Sequence, residues 1–219
     1  MKIGLGLYKN SLNSRNFTFA KQAGATHIVA HLTDYFGEHN PEISSGTEDG
    51  WGQVANAKPW HEEDLLGLVR TVREHGLTLA AIENFDPAHW HDILLDGPDK
   101  HKQIELIQNT IRAVGKAGIP VIGYNFSIAG VWGWTRGSYA RGGAMSVAFD
   151  ASQIDPQQPI PDGMVWNMRY RATRSDGVVA EVASDELWQR LAWFLRQVLP
   201  VAEEAGVSLA LHPDDPPMD

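Results

Sequence analysis

The sequence predicts an α/β fold: a parallel sheet whose strands alternate with helices, built as the first five βα units of a (β/α) barrel. Two observations carry this expectation. First, an amphipathic helical segment ends at a glycine and an apolar strand follows at once, four times over: at Lys21-Gln22-Ala23-Gly24, Arg73-Glu74-His75-Gly76, Gly115-Lys116-Ala117-Gly118 and Glu203-Glu204-Ala205-Gly206. Glycine just past a helix takes the left-handed conformation without a Cβ clash, and helices alternating with strands imply βα units around a parallel sheet. Second, the run Val207–His212 is apolar up to its closing histidine, and Pro213, Pro216 and Pro217 forbid its continuation. Such runs suit strands buried on both faces. A polar residue at their C-terminal end lies where α/β barrels keep their active sites.

The elements follow in order. The opening strand is expected over Lys2–Leu7, and the junctions place four more at Thr26–His31, Leu77–Glu83, Pro120–Phe126 and Val207–His212. A helix over Glu62–His75 carries Leu65, Leu68, Val69 and Val72 at helical spacing. A second, Pro98–Ala117, opens on a proline, favoured in a first turn, and carries Ile104, Ile107, Ile111 and Val114. A third, Asp185–Ala205, carries Leu187, Leu191, Phe194, Leu195 and Val198, and Pro200 is expected to kink or divide it.

The connections after the strands are long: Thr33–Pro59, Asn84–Gly97 and Ser127–Ala183. Long loops gathered at one end of a parallel sheet suggest a built active-site face. The whole chain, 1–219, reads as one domain, with 127–183 an insertion on that face. Its aromatics Trp132, Trp134, Tyr139, Trp166 and Tyr170 argue for an ordered lid or an oligomer contact rather than disorder.

Composition narrows the function classes. The 219 residues are 43% hydrophobic, enough for a sizeable core, and carry a net charge of −9 with no basic patch, which disfavours nucleic acid as a partner. Cysteine is absent, which removes disulfides and thiolate metal ligands from these residues. With no apolar run long enough for a membrane span and no signal peptide, a cytoplasmic location is expected.

Each strand after the first ends in a polar, potentially ligating residue: His31, Glu83, Asn125 and His212. One such residue would be an ordinary loop cap, but recurrence at every strand end is what a metal or polyol site requires. Carboxylate, amide and imidazole ligands suit Mn²⁺, Fe²⁺, Mg²⁺ or Zn²⁺. Arg136, in Trp132-Gly133-Trp134-Thr135-Arg136, offers a planar fork for a carboxylate, with a solvated loop arginine the equal alternative. His89 and His91 reach toward the same face, or pack against Trp90; His61, His75 and His101 are expected to face solvent on helices.

Tyr124-Asn125-Phe126 followed by Trp134-Thr135-Arg136, together with His212-Pro213-Asp214-Asp215-Pro216-Pro217, resembles the mannonate dehydratases of the xylose-isomerase-like barrel group. The resemblance is strongest from Pro120–Phe126 onward and weaker over the first two strands. It departs at Gly133, where the family's loop usually has an aspartate. It implies a (β/α)₈ TIM barrel and a divalent cation, usually Mn²⁺, with Fe²⁺ or Mg²⁺ as alternatives. The implied reaction is dehydration of D-mannonate to 2-keto-3-deoxy-D-gluconate in hexuronate breakdown. It makes His212 a metal ligand; His31, Glu83, Asn125, Trp134, Arg136 and Asp214 are the expected substrate-binding residues, and a homo-oligomer is expected. The family's remaining ligands and its acid and base come from later strands, so the chain is expected to be the N-terminal part of a longer one and inactive alone. Two other readings stand beside this: a sugar isomerase or epimerase on the same barrel, and a non-catalytic fragment or binding protein.

Overall fold

The computed structural model describes residues 2–34, 52–53, 58–129, 134–150, 152, 159–166, 168–171 and 176–213. Its centre is a five-stranded, all-parallel sheet whose strands lie side by side in chain order: β1 (Gly4–Tyr8), β2 (His27–His31), β3 (Thr78–Glu83), β4 (Val121–Tyr124) and β5 (Ser208–Leu211). The linking helices are α1 (Ser14–Gln22), α2 (Glu62–Glu74), α3 (Lys100–Lys116) and α4 (Ser184–Ala205). Sequential order with a helix after nearly every strand is the arrangement of the first five units of a TIM barrel, the fold class the junctions predicted. Among the described residues the sheet is open, with β1 and β5 at its edges.

The four junction glycines all have left-handed backbones: φ is +88° at Gly24, +68° at Gly76, +74° at Gly118 and +67° at Gly206. At each, the next residue donates its N–H to the carbonyl five positions back: Ala25 to Ala20, Leu77 to Val72, Ile119 to Val114 and Val207 to Ala202. This is the Schellman closure, with an apolar pair across the turn. All eight of those residues are buried. Helix end and strand start are thus sealed by one small apolar contact, repeated under four strands.

One face of the sheet packs on the helices. Leu7, Ile28, Ala30, Leu79, Ile82, Ile122 and Tyr124 meet Phe17, Leu65, Val72, Ile104, Ile107, Ile111, Phe194 and Val198 in a continuous core. Phe194 of α4 sits between Tyr124 and Phe126, at ring-centroid distances of 5.7 and 5.6 Å. The other face carries the alternate residues, Gly6, Tyr8, His31, Glu83 and Gly123 among them.

Several boundaries differ from the sequence expectation. β1 starts two residues later than expected, at Gly4, and ends one later, at Tyr8 rather than Leu7. α3 starts at Lys100, leaving Pro98 outside, because Asp92 Oδ2 accepts the Asp99 N–H at 2.9 Å and holds that residue in a non-helical conformation. α4 is one unbroken helix through Pro200. Pro200 and Arg196, the residue whose carbonyl it deprives of a donor, are both exposed, and the neighbouring Gln197 carbonyl accepts from Gln108 Nε2 at 2.9 Å. His75 is half-buried, its ring tilted 58° against Phe17 at 5.5 Å, with its Nδ1 2.8 Å from the Thr71 carbonyl. In the insertion 127–183, Trp134–Gly137 pairs antiparallel with Ser146–Phe149, and Met168–Arg169 bridges Gly52–Gln53 and Met164–Val165. None of these short strands joins the central sheet. No helix among the described residues is long and apolar enough to cross a membrane.

Candidate active site

His31 and Glu83 are the last residues of β2 and β3, Asn125 follows β4, and His212 follows β5. All four therefore lie at the C-terminal edge of the sheet. The first two are brought into contact: His31 Nε2 stands 3.4 Å from Glu83 Oε2. A β-bulge makes this possible. Ile28 pairs with Leu79 but Val29 pairs with Ala81, so β3 carries one extra residue and Ala30 falls opposite Ile82. Without that extra residue Glu83 would lie one position beyond His31 and on the other face.

Burial disfavours the charged imidazole and lowers the His31 pKa, against a smaller opposing pull from the Glu83 charge. His31 therefore meets Glu83 as a neutral donor. Its ring is covered by Tyr8, the last residue of β1, at a centroid distance of 4.7 Å and 40° between planes. Burial first, and the Glu83 charge second, raise the Tyr8 pKa and keep its phenol protonated. Tyr8 is the site residue the sequence reading missed. The signal was the rule used for the other strands, a polar residue at the strand end, but the opening strand was placed one residue short.

Asn125 is 2% exposed, and neither its Oδ1 nor its Nδ2 has a hydrogen-bond partner among the described residues. The same holds for Thr33 Oγ1, two residues past β2. Buried polar atoms without partners are costly in a folded chain and mark places where another polar molecule binds. Asp86, three residues past β3, is a second residue missed. Its Oδ1 accepts the Ala88 N–H at 3.0 Å, capping the turn Pro87–His89. Burial raises its pKa to about 6, against the lowering effects of that hydrogen bond, His89 and Lys9.

His212 is exposed; its N–H donates to the Tyr124 carbonyl at 2.7 Å, and its Nδ1 lies 2.8 Å from the Pro213 carbonyl. A carbonyl can only accept, so the proton sits on Nδ1 and Nε2 is left as the basic nitrogen, the arrangement of a metal-ligating histidine. One ligand is what this residue fits. Among the described residues, no group of three or more His, Asp or Glu side chains could hold an ion. Trp134 and Arg136 lie on the hairpin strand Trp134–Gly137, their side chains outside the described set, and Asp214 lies outside the described residues.

Of the two histidines after β3, His91 packs against the insertion. His91 stacks face to face on Tyr170, 3.8 Å between centroids and 7° between planes, with its Nδ1 donating to the Pro87 carbonyl at 2.7 Å. It fastens Met164–Arg171 of the insertion to the loop after β3. Trp166 adds a backbone bond to the Ile128 carbonyl at 2.8 Å.

Comparison with known proteins agrees with this geometry. The family model of D-mannonate dehydratase (UxuA) matches residues 1–219. The chain is 36% identical over 174 residues to a mannonate dehydratase of Streptococcus suis, covering 75% of this chain and 46% of that protein. It is 33% identical over 202 residues to one of Streptococcus equi subsp. zooepidemicus, covering 84% and 54%. The crystal structure of mannonate dehydratase from S. suis serotype 2 superposes with a TM-score of 0.67 at 28% identity, covering 100% of this chain and 55% of that one. The chain thus spans about half the length of the curated relatives it matches. With the strand order, the polar strand ends and a match across its whole length, the chain belongs to the D-mannonate dehydratase (UxuA) family.

Proposed function

We propose that this chain supplies the β1–β5 side of a site that dehydrates a sugar acid, converting D-mannonate to 2-keto-3-deoxy-D-gluconate as a carbon–oxygen lyase in hexuronate breakdown. The observation that carries the reading is the convergence of polar residues at successive strand ends in a chain of this family. The reaction removes the proton α to a carboxylate and expels the β-hydroxyl. A substrate of this kind presents a carboxylate and a row of hydroxyls. Asn125, with both amide atoms unsatisfied, suits a hydroxyl as donor and acceptor together. His31 and Glu83 suit the next hydroxyls along the row, and Arg136, on the hairpin after β4, suits the carboxylate.

A divalent cation, Mn²⁺ in this reading with Fe²⁺ or Mg²⁺ as alternatives, supplies charge stabilisation to the substrate carboxylate when bound. His212 is the residue of this chain that would hold it. Trp134 and Asp214 complete the substrate-binding set. The same reading places the protein in the cytoplasm as a homo-oligomer.

The test is direct. The protein that carries this chain is incubated with D-mannonate and Mn²⁺, and the 2-keto acid is measured against time. Formation of 2-keto-3-deoxy-D-gluconate supports the reading. No keto acid, with turnover of an aldose–ketose pair instead, overturns it in favour of an isomerase.

A further inference from the structure

A short hairpin of the insertion is moored to the loops that follow β3 and β4. Val165 pairs with Met168 across it, and the Tyr170 N–H donates to the Gly163 carbonyl at 2.8 Å and closes its base. Arg171 and Asp162 add an ion pair at 2.6 Å. At the turn of the hairpin, the Trp166 N–H donates to the Ile128 carbonyl, three residues beyond Asn125. At its base, the Tyr170 ring lies flat on His91 in the loop after β3. That imidazole is itself held, its Nδ1 by the Pro87 carbonyl and its Nε2 3.3 Å from the amide nitrogen of Gln103, whose Oε1 accepts the Asp92 N–H. Met164, Val165, Met168 and Tyr170 are buried, whereas Trp166 is half-buried. Trp166 is also strained: its φ is +50°. Among the described residues two others besides glycine have a positive φ, Asn84 and Asp96, and their short polar side chains tolerate it; a bulky aromatic does not. Glycine or asparagine would hold this backbone more easily, so the turn does not call for an indole. Strain of this kind persists where the surrounding structure fixes it, and it gathers at functional sites.

We propose that Trp166 is a specificity-determining residue whose indole packs on the carbon chain of the substrate, and that Tyr170, stacked on His91, is the positioning residue that holds the hairpin over the site. The inference rests on the sugar-acid reading above and deepens it by naming an apolar wall. A sugar acid is polar along its hydroxyl edges and apolar along its C–H faces. Asn125, His31, Glu83 and Arg136 suit the hydroxyls and the carboxylate, and an indole suits a C–H face. Trp166 breaks and makes no bond in this role. It binds the substrate and holds the carbon chain in register with the Asn125 amide, which lies three residues before the Ile128 carbonyl that Trp166 bonds.

The test uses the protein that carries this chain, with D-mannonate and Mn²⁺. Trp166→Asn, whose side chain tolerates the left-handed backbone, should fold and raise KM about tenfold with kcat changed far less, the mark of lost binding rather than lost chemistry. Trp166→Phe, which keeps an aromatic face, should stay near wild type. Tyr170→Leu should raise KM as Trp166→Asn does, and the double variant should be no worse than either single one, since both remove the same contact. Fluorotryptophan labelling reads the contact itself: the fluorine resonance that is missing in Trp166→Phe should shift when D-mannonate saturates the wild type. A folded Trp166→Asn with the wild-type KM, or a Trp166 resonance that does not move on saturation, overturns the assignment. Additive effects of Trp166→Asn and Tyr170→Leu overturn the positioning role of Tyr170. Wild type that forms no keto acid overturns instead the dehydration reading beneath it.

Discussion

Gly115 and Ala205 meet backbone to side chain at the ends of α3 and α4: a Cβ on Gly115 would stand 2.9 Å from the Ala205 Cβ and would overlap that residue's carbonyl oxygen. Neither helix end can yield easily, since each is closed by its own Schellman turn. Gly115→Ala should therefore destabilise the protein by about 1–3 kcal/mol, the cost of overpacking a rigid contact. Gly67→Ala in α2, where a Cβ would meet nothing within 4 Å, should be neutral or stabilising. Thermal unfolding should fall for Gly115→Ala and hold or rise for Gly67→Ala.

Asp86 makes stability depend on pH. Its folded-state pKa of about 6 lies above its ordinary value of 3.8, so the folded protein binds the proton more tightly. The resulting stabilisation is fully present below pH 3.8 and is lost as pH rises through 6. Asp86→Asn keeps the acceptor for the Ala88 N–H and removes the buried charge. At pH 7 to 8 it should be more stable than wild type by roughly 2–3 kcal/mol, from about two units at 1.36 kcal/mol each. That advantage should vanish near pH 4. Chemical denaturation at pH 4 and pH 8 checks it, and an equal effect at both would exclude the burial explanation.

Asn125 should trade stability against binding. Both polar ends of its amide are buried without a partner, and a shape-matched apolar residue removes that penalty. Asn125→Leu should raise stability by about 1 kcal/mol and weaken D-mannonate binding roughly tenfold. A variant that binds normally would remove Asn125 from the substrate set.

His212→Ala should abolish Mn²⁺ binding by the protein that carries this chain while leaving its fold intact, since the side chain is exposed and closes no core contact. Elemental analysis of metal per chain, with circular dichroism as the control on fold, reads this. Unchanged stoichiometry would rule out the role.

The repeated helix–glycine–strand junction was legible because it is local: left-handed glycine, apolar neighbour and strand all lie within a few residues. So were the strand ends at His31, Glu83, Asn125 and His212. What was not legible depends on register. No local pattern announces the extra residue in β3 at the Ile28–Val29 step, yet it alone brings His31 beside Glu83. Tyr8 escaped because Gly4 and Gly6, alternating with leucines, give the opening strand little edge signal. Pro200 was expected to break α4 by its local rule. That rule was overridden at a position where Pro200 and Arg196 both lie on the exposed side of the helix. Of the hairpin, Ser146–Phe149 was legible as the short apolar run Val147–Phe149, whereas its partner Trp134–Gly137 has no apolar alternation to announce it. The Asp92 carboxylate displaced the start of α3 from seven residues away.

The four sealed turns under the sheet have a consequence for how this chain can vary. Each passes from helix to strand through a single glycine, with the residues on either side locked by the 6→1 hydrogen bond and buried against each other. One added residue there would break that bond, expose the apolar pair and rotate the following strand by half a period, turning its core face outward. The floor of the molecule therefore has no slack. Insertions, permuted termini and fused tags belong on the opposite rim, and relatives of different length should differ there, around the chemistry rather than beneath it.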